Sequence, residues 1–363
     1  MRIVFAGGGT LGSVTPLLAV ARAAREQQPG CELFWIGTDF GPEERLVREA
    51  GIDFYAIKSG KLRRYLDWRN ITDVGRIIRG FLQAGSLLGR LRPDVLVSAG
   101  GFVAVPAVWA AWLRRVPVHL HQMDIRPGLA NKLSAPFAAS VSVAYERSLA
   151  DFASKKPVWT SNPVRPELFA GSRTEAARLF GLEPGTPTVL VLGGGTGAVT
   201  LNGLVRQAAP ELASGAQLIH LTGQGKAEPF ADAPARYHQL EFLTGDLKHA
   251  YAAADLVVTR AGMGVLTELA ALGTPAVILP IPDSHQEENA DFFVKNGAAA
   301  AVDERRISPH EFSALVLGLL GDRTRLAAMA AAMLRLSKAD AAAAMAGLVV
   351  RTAGPDRSPS VRS

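Results

Sequence analysis

The chain is poor in cysteine: its 363 residues contain one, Cys31. That excludes an internal disulfide framework and fits a reducing compartment. No uninterrupted apolar run approaches the roughly 18 residues of a spanning helix. The opening MRIVFAGGG has one charge and then an apolar stretch that glycines break too early for a signal peptide. No Asp-x-Asp is present for a metal-dependent nucleotide-sugar site, no Cys/His spacing suits zinc, and no Gly-x-Ser-x-Gly nucleophile elbow occurs. A net charge of +6 permits an anionic membrane surface, phosphate-bearing substrates or nucleic acid, and does not choose among them.

What is present describes a soluble α/β protein. Hydrophobic residues make up 48% and charged residues 20%, and the length suggests two domains. Short apolar runs at Ile3–Ala6, Glu32–Ile36, Val95–Ser98, Val118–His121 and Val141–Ser142 read as strands. Helix-like stretches such as Pro16–Glu26 and Ile77–Leu91 lie between them. The alternation then restarts, with strands at Val189–Leu192, Gln217–Leu221, Leu256–Val258 and Ala276–Leu279. The helices of this half fall at Thr200–Ala213, Leu247–Ala254, Gly264–Leu272 and Gln286–Asn296. This order predicts parallel sheets with helices on both faces. IVFAGGGT (Ile3–Thr10) resembles VLVLGGGT (Val189–Thr196), and PDVLVSAGGF (Pro93–Phe102) resembles ADLVVTRAGMG (Ala254–Gly264), as in two domains of one kind. The Pro/Ser/Asn-rich VWTSNPVRPE near Val158–Pro166 marks the boundary. The expected division is 1–160, 161–335, a closing helix over 336–352 and a disordered polar tail over 353–363.

Two glycine-rich turns, Gly7–Pro16 and Gly193–Asn202, each join a strand to a helix. Glycine permits close backbone approach, and a helix start offers free N–H groups, so each turn is either an anion site or only a tight turn. The second lacks the Gly-Lys-Ser/Thr ending of an ATPase P-loop. In RAGMGVLTELAALG (Arg260–Gly273), Val265, Leu269 and Leu272 are expected to face the core. Glu268, one turn after Gly264, is either an acceptor for two ribose hydroxyls or a solvated glutamate. Gln286 and Asn289 share a helix face and suit sugar hydroxyls, or merely form a polar helix start with His285. His121, Gln122 and Asp124 cluster at a strand's C-terminal end, where open α/β sheets place ligands. Asp124 is a general base or a helix cap. The segment Ser59–Asn70 interleaves Lys61, Arg63, Arg64 and Arg69 with Leu62, Tyr65, Leu66 and Trp68. Such a pattern suits an anionic bilayer, single-stranded nucleic acid or a plain solvated helix.

Together these segments resemble the MurG family of UDP-N-acetylglucosamine transferases. The match runs in order from Met1 to about residue 300, through GGGTLGSVTPLLAVA, SGKLRRY, RPDVLVSAGGFVAVP, PGLANKLSAPFA, NPVRPE, LGGGTGA, EFLTGDL, RAGMGVLTELAALG and HQEENA. The resemblance implies a GT-B fold: two Rossmann-like, doubly wound parallel-sheet domains facing across a cleft, the N-terminal one for the acceptor and the membrane, the C-terminal one for the UDP-sugar. It implies inverting, metal-independent transfer of N-acetylglucosamine from UDP-N-acetylglucosamine to the C4 hydroxyl of a lipid-linked muramoyl-pentapeptide. No cofactor is implied, and no nucleic-acid partner. The protein would be peripheral on the anionic cytoplasmic face of the membrane. Donor contacts are implied for Thr10, Leu11, Gly12, Asp124, Arg165 near the diphosphate, Gly195, Thr196, Leu243 at the uracil, Met263, Gly264, Val265, Leu266, Thr267, Glu268 on the ribose, and Gln286 on the sugar. Lys61, Arg63, Arg64, Tyr65, Phe102 and Gln122 fall to the acceptor and membrane side.

The pattern departs from the family at Ser13, where a histidine is usual, and at Gln122, which replaces a glutamate. Both changes remove expected catalytic groups, which leaves Asp124 as the candidate base beside Ser13. A different acceptor or nucleotide sugar, or a paralogue with weakened catalysis, are the alternatives.

Overall fold

A computed structural model describes residues 1–9, 11–41, 43–60, 69–193 and 198–354. The expectations at Thr10, Lys61, Arg63, Arg64, Tyr65, Gly195, Thr196 and the tail after Gly354 lie outside the described residues. The chain divides into two compact units, Met1–Val164 with Ala339–Ser363, and Arg165–Lys338.

In the first unit, strands β1 (Arg2–Ala6), β2 (Glu32–Thr38), β3 (Asp53–Ile57), β4 (Val95–Ser98), β5 (Val118–Gln122), β6 (Ser140–Val143) and β7 (Val158–Trp159) form one sheet in the order β3-β2-β1-β4-β5-β6-β7. Every pairing is parallel. Between the strands run α1 (Thr15–Gln27), α2 (Glu43–Glu49), α3 (Arg69–Leu91), α4 (Ala104–Leu113) and α5 (Leu129–Ser134). The period-2 alternation of a strand sorts the side chains of β1 to the two faces. Ile3 and Phe5 join the α1 core, whereas Val4 and Ala6 join the core under α3 and α4. On α1, Leu17, Val20, Ala21 and Ala24 repeat at helical spacing and are buried. Each large apolar side chain so buried contributes roughly 1.5–3 kcal/mol.

The second unit repeats the plan. Its strands are β8 (Thr188–Leu192), β9 (Gln217–Leu221), β10 (Tyr237–Leu240), β11 (Leu256–Thr259), β12 (Ala276–Ile278) and β13 (Ala299–Ala301), in the parallel order β10-β9-β8-β11-β12-β13. Its helices are α6 (Arg173–Phe180), α7 (Val199–Leu212), α8 (Leu247–Ala253), α9 (Met263–Leu272), α10 (His285–Lys295), α11 (Pro309–Gly321) and α12 (Arg323–Arg335). The Ala-rich C-terminal stretch breaks after α12, and α13 (Ala341–Ala353) returns to the first unit. There Met345, Ala346 and Val349 complete the α1 core.

In both sheets the strand order reverses beside the first strand, between β1 and β4 and between β8 and β11. Doubly wound sheets bind ligands outside the carboxyl ends of the strands at such a point. The turns after β1, β4 and β5, and those after β8 and β11, are therefore the places to look.

Candidate active site

In the first unit the turn after β1 is held from beneath. Gly7 N–H donates to Ile36 O (3.1 Å), and Trp35 Nε1–H donates to Gly7 O (2.8 Å). Glu43, the first residue of α2, is fully buried. Its Oε1 accepts from Thr38 N (2.7 Å) and Thr38 Oγ1 (2.6 Å), and its Oε2 accepts from Gly9 N (3.2 Å). A Cβ on Gly8 would overlap this carboxylate, so glycine there is a packing requirement. The Gly9 N–H expected to face a ligand anion thus already has one, supplied by the chain itself.

Above the turn, Phe102 stacks on Phe40 with ring centroids 6.2 Å apart and lies where a Gly9 side chain would be. Gly9 has φ +83° and Gly101 φ +87°, values that glycine adopts without strain. Gly12 and the Leu11 backbone lie in the short helical turn Leu11–Ser13. The Ser13 hydroxyl is buried against Gly7 and Gly101 and has no hydrogen-bond partner among the described residues. A serine needs an adjacent base to be activated, and the Ser13 hydroxyl is hydrogen-bonded to none among the described residues.

The loop after β5 carries Asp124, which is half-buried. Every carbonyl from His121 to Arg126 is held. Asn131 Nδ2 donates to His121 O (3.2 Å), Ala144 N to Gln122 O (2.9 Å), Asn162 Nδ2 to Met123 O (3.2 Å) and Ser148 Oγ to Ile125 O (3.0 Å). Gln122 Nε2 holds the other two, Asp124 O (2.8 Å) and Arg126 O (3.1 Å), while its Oε1 accepts from Asn131 Nδ2 (2.7 Å). Gln122 is buried and uses both amide hydrogens. It braces the Asp124 loop with both amide hydrogens. A carboxylate has no hydrogen to give and would face two carbonyl oxygens here. Gln122→Glu is accordingly expected to lower turnover by about tenfold, at a cost of roughly 1–3 kcal/mol per unpaired polar group. Equal or higher turnover in a steady-state assay would contradict the brace.

His121 is no freer. Its Nε2 meets Asn162 Oδ1 (2.8 Å) and its Nδ1 meets Ser142 Oγ (2.8 Å). Burial pushes its pKa down to about 4. His119 bridges Ser140 and Ser142 and is pushed down to about 3, by burial first and then by His121. Both imidazoles are neutral structural links at neutral pH.

In the second unit the turn between β11 and α9 is pinned at both ends. The buried Arg260 pairs with Glu304 (2.6 Å) and donates to Leu279 O (3.1 Å). Asn289 Nδ2 donates to Ala261 O (3.1 Å), which makes Asn289 a buried strut and not a sugar contact. α9 starts at Gly262 with no side-chain cap and closes on Gly273 at φ +69°. Its core face is Met263, Leu266, Thr267, Leu269 and Ala270, so Val265 and Leu272 sit further out than the spacing predicted. The helix is apolar nearly all round, and periodicity could not select its buried face. Within Met263–Glu268, the side chains with partial exposure are those of Val265 and Glu268.

Glu268 is shared. Its Oε1 accepts from Arg165 Nη2 (3.1 Å) and its Oε2 from Tyr251 Oη (2.8 Å). Two residues singled out in the sequence, 103 positions apart, thus meet. Tyr251 carried no such signal. Gln286 lies in the first turn of α10, where Ser284 caps the helix. Its Oε1 accepts from Ile281 N (3.1 Å). Leu243 is half-buried in the loop after β10, between exposed Phe242 and Thr244. α7 also begins without a side-chain cap, at Ala198. Uncapped helix starts keep N–H donors and a positive dipole end toward solvent.

The glycosyltransferase family 28 N-terminal domain matches residues 3–143, and the family 28 C-terminal domain matches residues 188–345. A UDP-N-acetylglucosamine–N-acetylmuramyl-(pentapeptide) pyrophosphoryl-undecaprenol N-acetylglucosamine transferase of Shouchella clausii is 40% identical over 311 residues, covering 85% of this chain and 87% of that protein. The transferase of the same name from Lachnoclostridium phytofermentans is equally similar, at 40% over 311 residues. Among solved structures, Acinetobacter baumannii MurG superposes with a TM-score of 0.75 at 28% identity, covering 96% of this chain and 99% of that one. A glycosyltransferase of kitacinnamycin reaches the same TM-score at 16% identity and speaks for the fold alone. With both family domains in place, and this identity over most of each relative's length, the chain belongs to the MurG family of GT-B glycosyltransferases.

Proposed function

We propose that the chain transfers N-acetylglucosamine from UDP-N-acetylglucosamine to the C4 hydroxyl of undecaprenyl-diphospho-muramoyl-pentapeptide, a step of peptidoglycan synthesis. The observation that carries this reading is the Arg165–Glu268 pair on the second turn of α9, in a chain 40% identical to transferases named for that reaction. Residues 161–335 take the donor and residues 1–160 the acceptor. Glu268 accepts from the ribose, Leu243 lies at the uracil, Gln286 at the sugar and Arg165 near the diphosphate. The second glycine turn, with Gly195 and Thr196, precedes the uncapped start of α7 and meets the charge that develops on departing UDP. Asp124 takes the proton of the attacking hydroxyl as the C4 oxygen displaces UDP at C1 in one inverting step. The test is transfer itself: a chain that binds UDP yet forms no lipid-linked disaccharide contradicts the reading.

No described helix is long and apolar enough to cross a membrane. Association with the anionic cytoplasmic membrane surface, begun by Lys61, Arg63, Arg64 and Tyr65, is supported by α3. There Val74, Ile78 and Leu82 repeat every fourth residue and are exposed beside Arg76 and Arg79. α3 packs on α4, whose end exposes Trp112 and Leu113 before Arg114 and Arg115. Exposed apolar side chains edged by arginines suit an anionic interface. Ile78→Asp with Leu82→Asp is expected to cut co-sedimentation with anionic vesicles by about tenfold. Unchanged sedimentation would place the contact elsewhere.

A further inference from the structure

We infer that Tyr251 is a positioning residue for donor recognition: its hydroxyl aims the Glu268 carboxylate at the ribose of the nucleotide. The inference rests on the reading above that Glu268 meets the ribose.

Tyr251 belongs to α8, seventeen residues before Glu268, and is 3% exposed. Its Oη donates to Glu268 Oε2 (2.8 Å), while Arg165 Nη2 donates to Oε1 (3.1 Å). Each carboxylate oxygen accepts about two hydrogen bonds. One site on each is therefore spent inside the protein and one on each has no partner among the described residues, an arrangement matched to the two hydroxyls of a vicinal diol. Two anchors on different oxygens also fix the plane of the carboxylate, which a single anchor would leave free to rotate. Burial, together with the neighbouring carboxylate, holds the Tyr251 phenol well above its ordinary pKa, so it keeps the proton it donates. The Glu268 side chain is 17% exposed, enough for its open edge to meet a ligand.

A buried tyrosine also needs an acceptor merely to be buried, so the test must separate aim from packing. Tyr251→Phe fills the same space and deletes only the hydroxyl. Calorimetric titration of UDP and of 2′-deoxy-UDP into wild type and variant reads the aim. Wild type should prefer UDP by about tenfold or more, the worth of a hydrogen bond to a charged group. In Tyr251→Phe, affinity for UDP should fall about fivefold and that for 2′-deoxy-UDP, which keeps only the 3′-hydroxyl, should fall by less than about twofold, so that the preference narrows. Adding Tyr251→Phe to Glu268→Gln should cost no further preference, because the tyrosine acts through the carboxylate. A folded Tyr251→Phe that keeps the wild-type preference, or a double variant with additive losses, overturns the inference. A wild type with no preference for the 2′-hydroxyl overturns the ribose reading of Glu268 itself, and the inference with it.

Discussion

Asp124→Asn is expected to lower kcat by about 10²–10⁴-fold, the usual contribution of a positioned general base, and to leave UDP affinity within about twofold. The substitution is nearly isosteric and removes the negative charge together with the capacity to take a proton. The loop should not move, because its carbonyls from His121 to Arg126 are held by partners other than the Asp124 side chain. The other candidates in the first unit are less suited to take a proton. Gln122 is a buried brace, His121 is a neutral link pushed down to about 4, and Ser13 has no base beside it among the described residues. A kcat within about threefold of wild type would move the base elsewhere.

Glu43→Ala should strongly destabilise the first unit. It strands the buried N–H groups of Thr38 and Gly9 and the Thr38 hydroxyl. At roughly 1–3 kcal/mol for each unsatisfied buried group, partly relieved by relaxation, the loss is about 3–4 kcal/mol. The sequence supplies a selective reporter. All five tryptophans precede Arg165, so tryptophan fluorescence follows the first unit alone. Its denaturation midpoint should fall, while UDP affinity, assigned to the second unit in the proposed function, should persist. An unmoved fluorescence transition would mean that the glycine turn does not depend on this carboxylate.

These residues mark how far the sequence could be read. The central strands were legible because parallel strands covered on both faces are continuous apolar runs. The four strands that the run-by-run reading passed over, β3, β7, β10 and β13, are the four sheet edges. They are short and partly exposed, and β13 is only alanine. Edge position weakens the apolar signal on which such reading depends. Arg165, Glu268 and Gln286 stand out because they lie in dense motifs, and the first two meet in the structure. Glu43 and Tyr251 do not stand out, since each acquires its role from a partner on another element. Gln122 was legible as a position, whereas its role as a buried donor to two carbonyls was not. Whether an amide replaces a lost carboxylate or serves as a donor depends on what it faces, and it faces two carbonyls.

The proposed transfer requires both a UDP-sugar site on α9 and a proton-accepting loop after β5. The most direct measurement is to incubate the full chain with radiolabelled UDP-N-acetylglucosamine and lipid-linked muramoyl-pentapeptide, then follow label, UDP and anomeric configuration together. The expected result is label in the lipid-linked disaccharide, one UDP released per linkage, and a β-linkage from the α-configured donor. Bound UDP with no labelled lipid, or label transferred with retention of configuration, would contradict it.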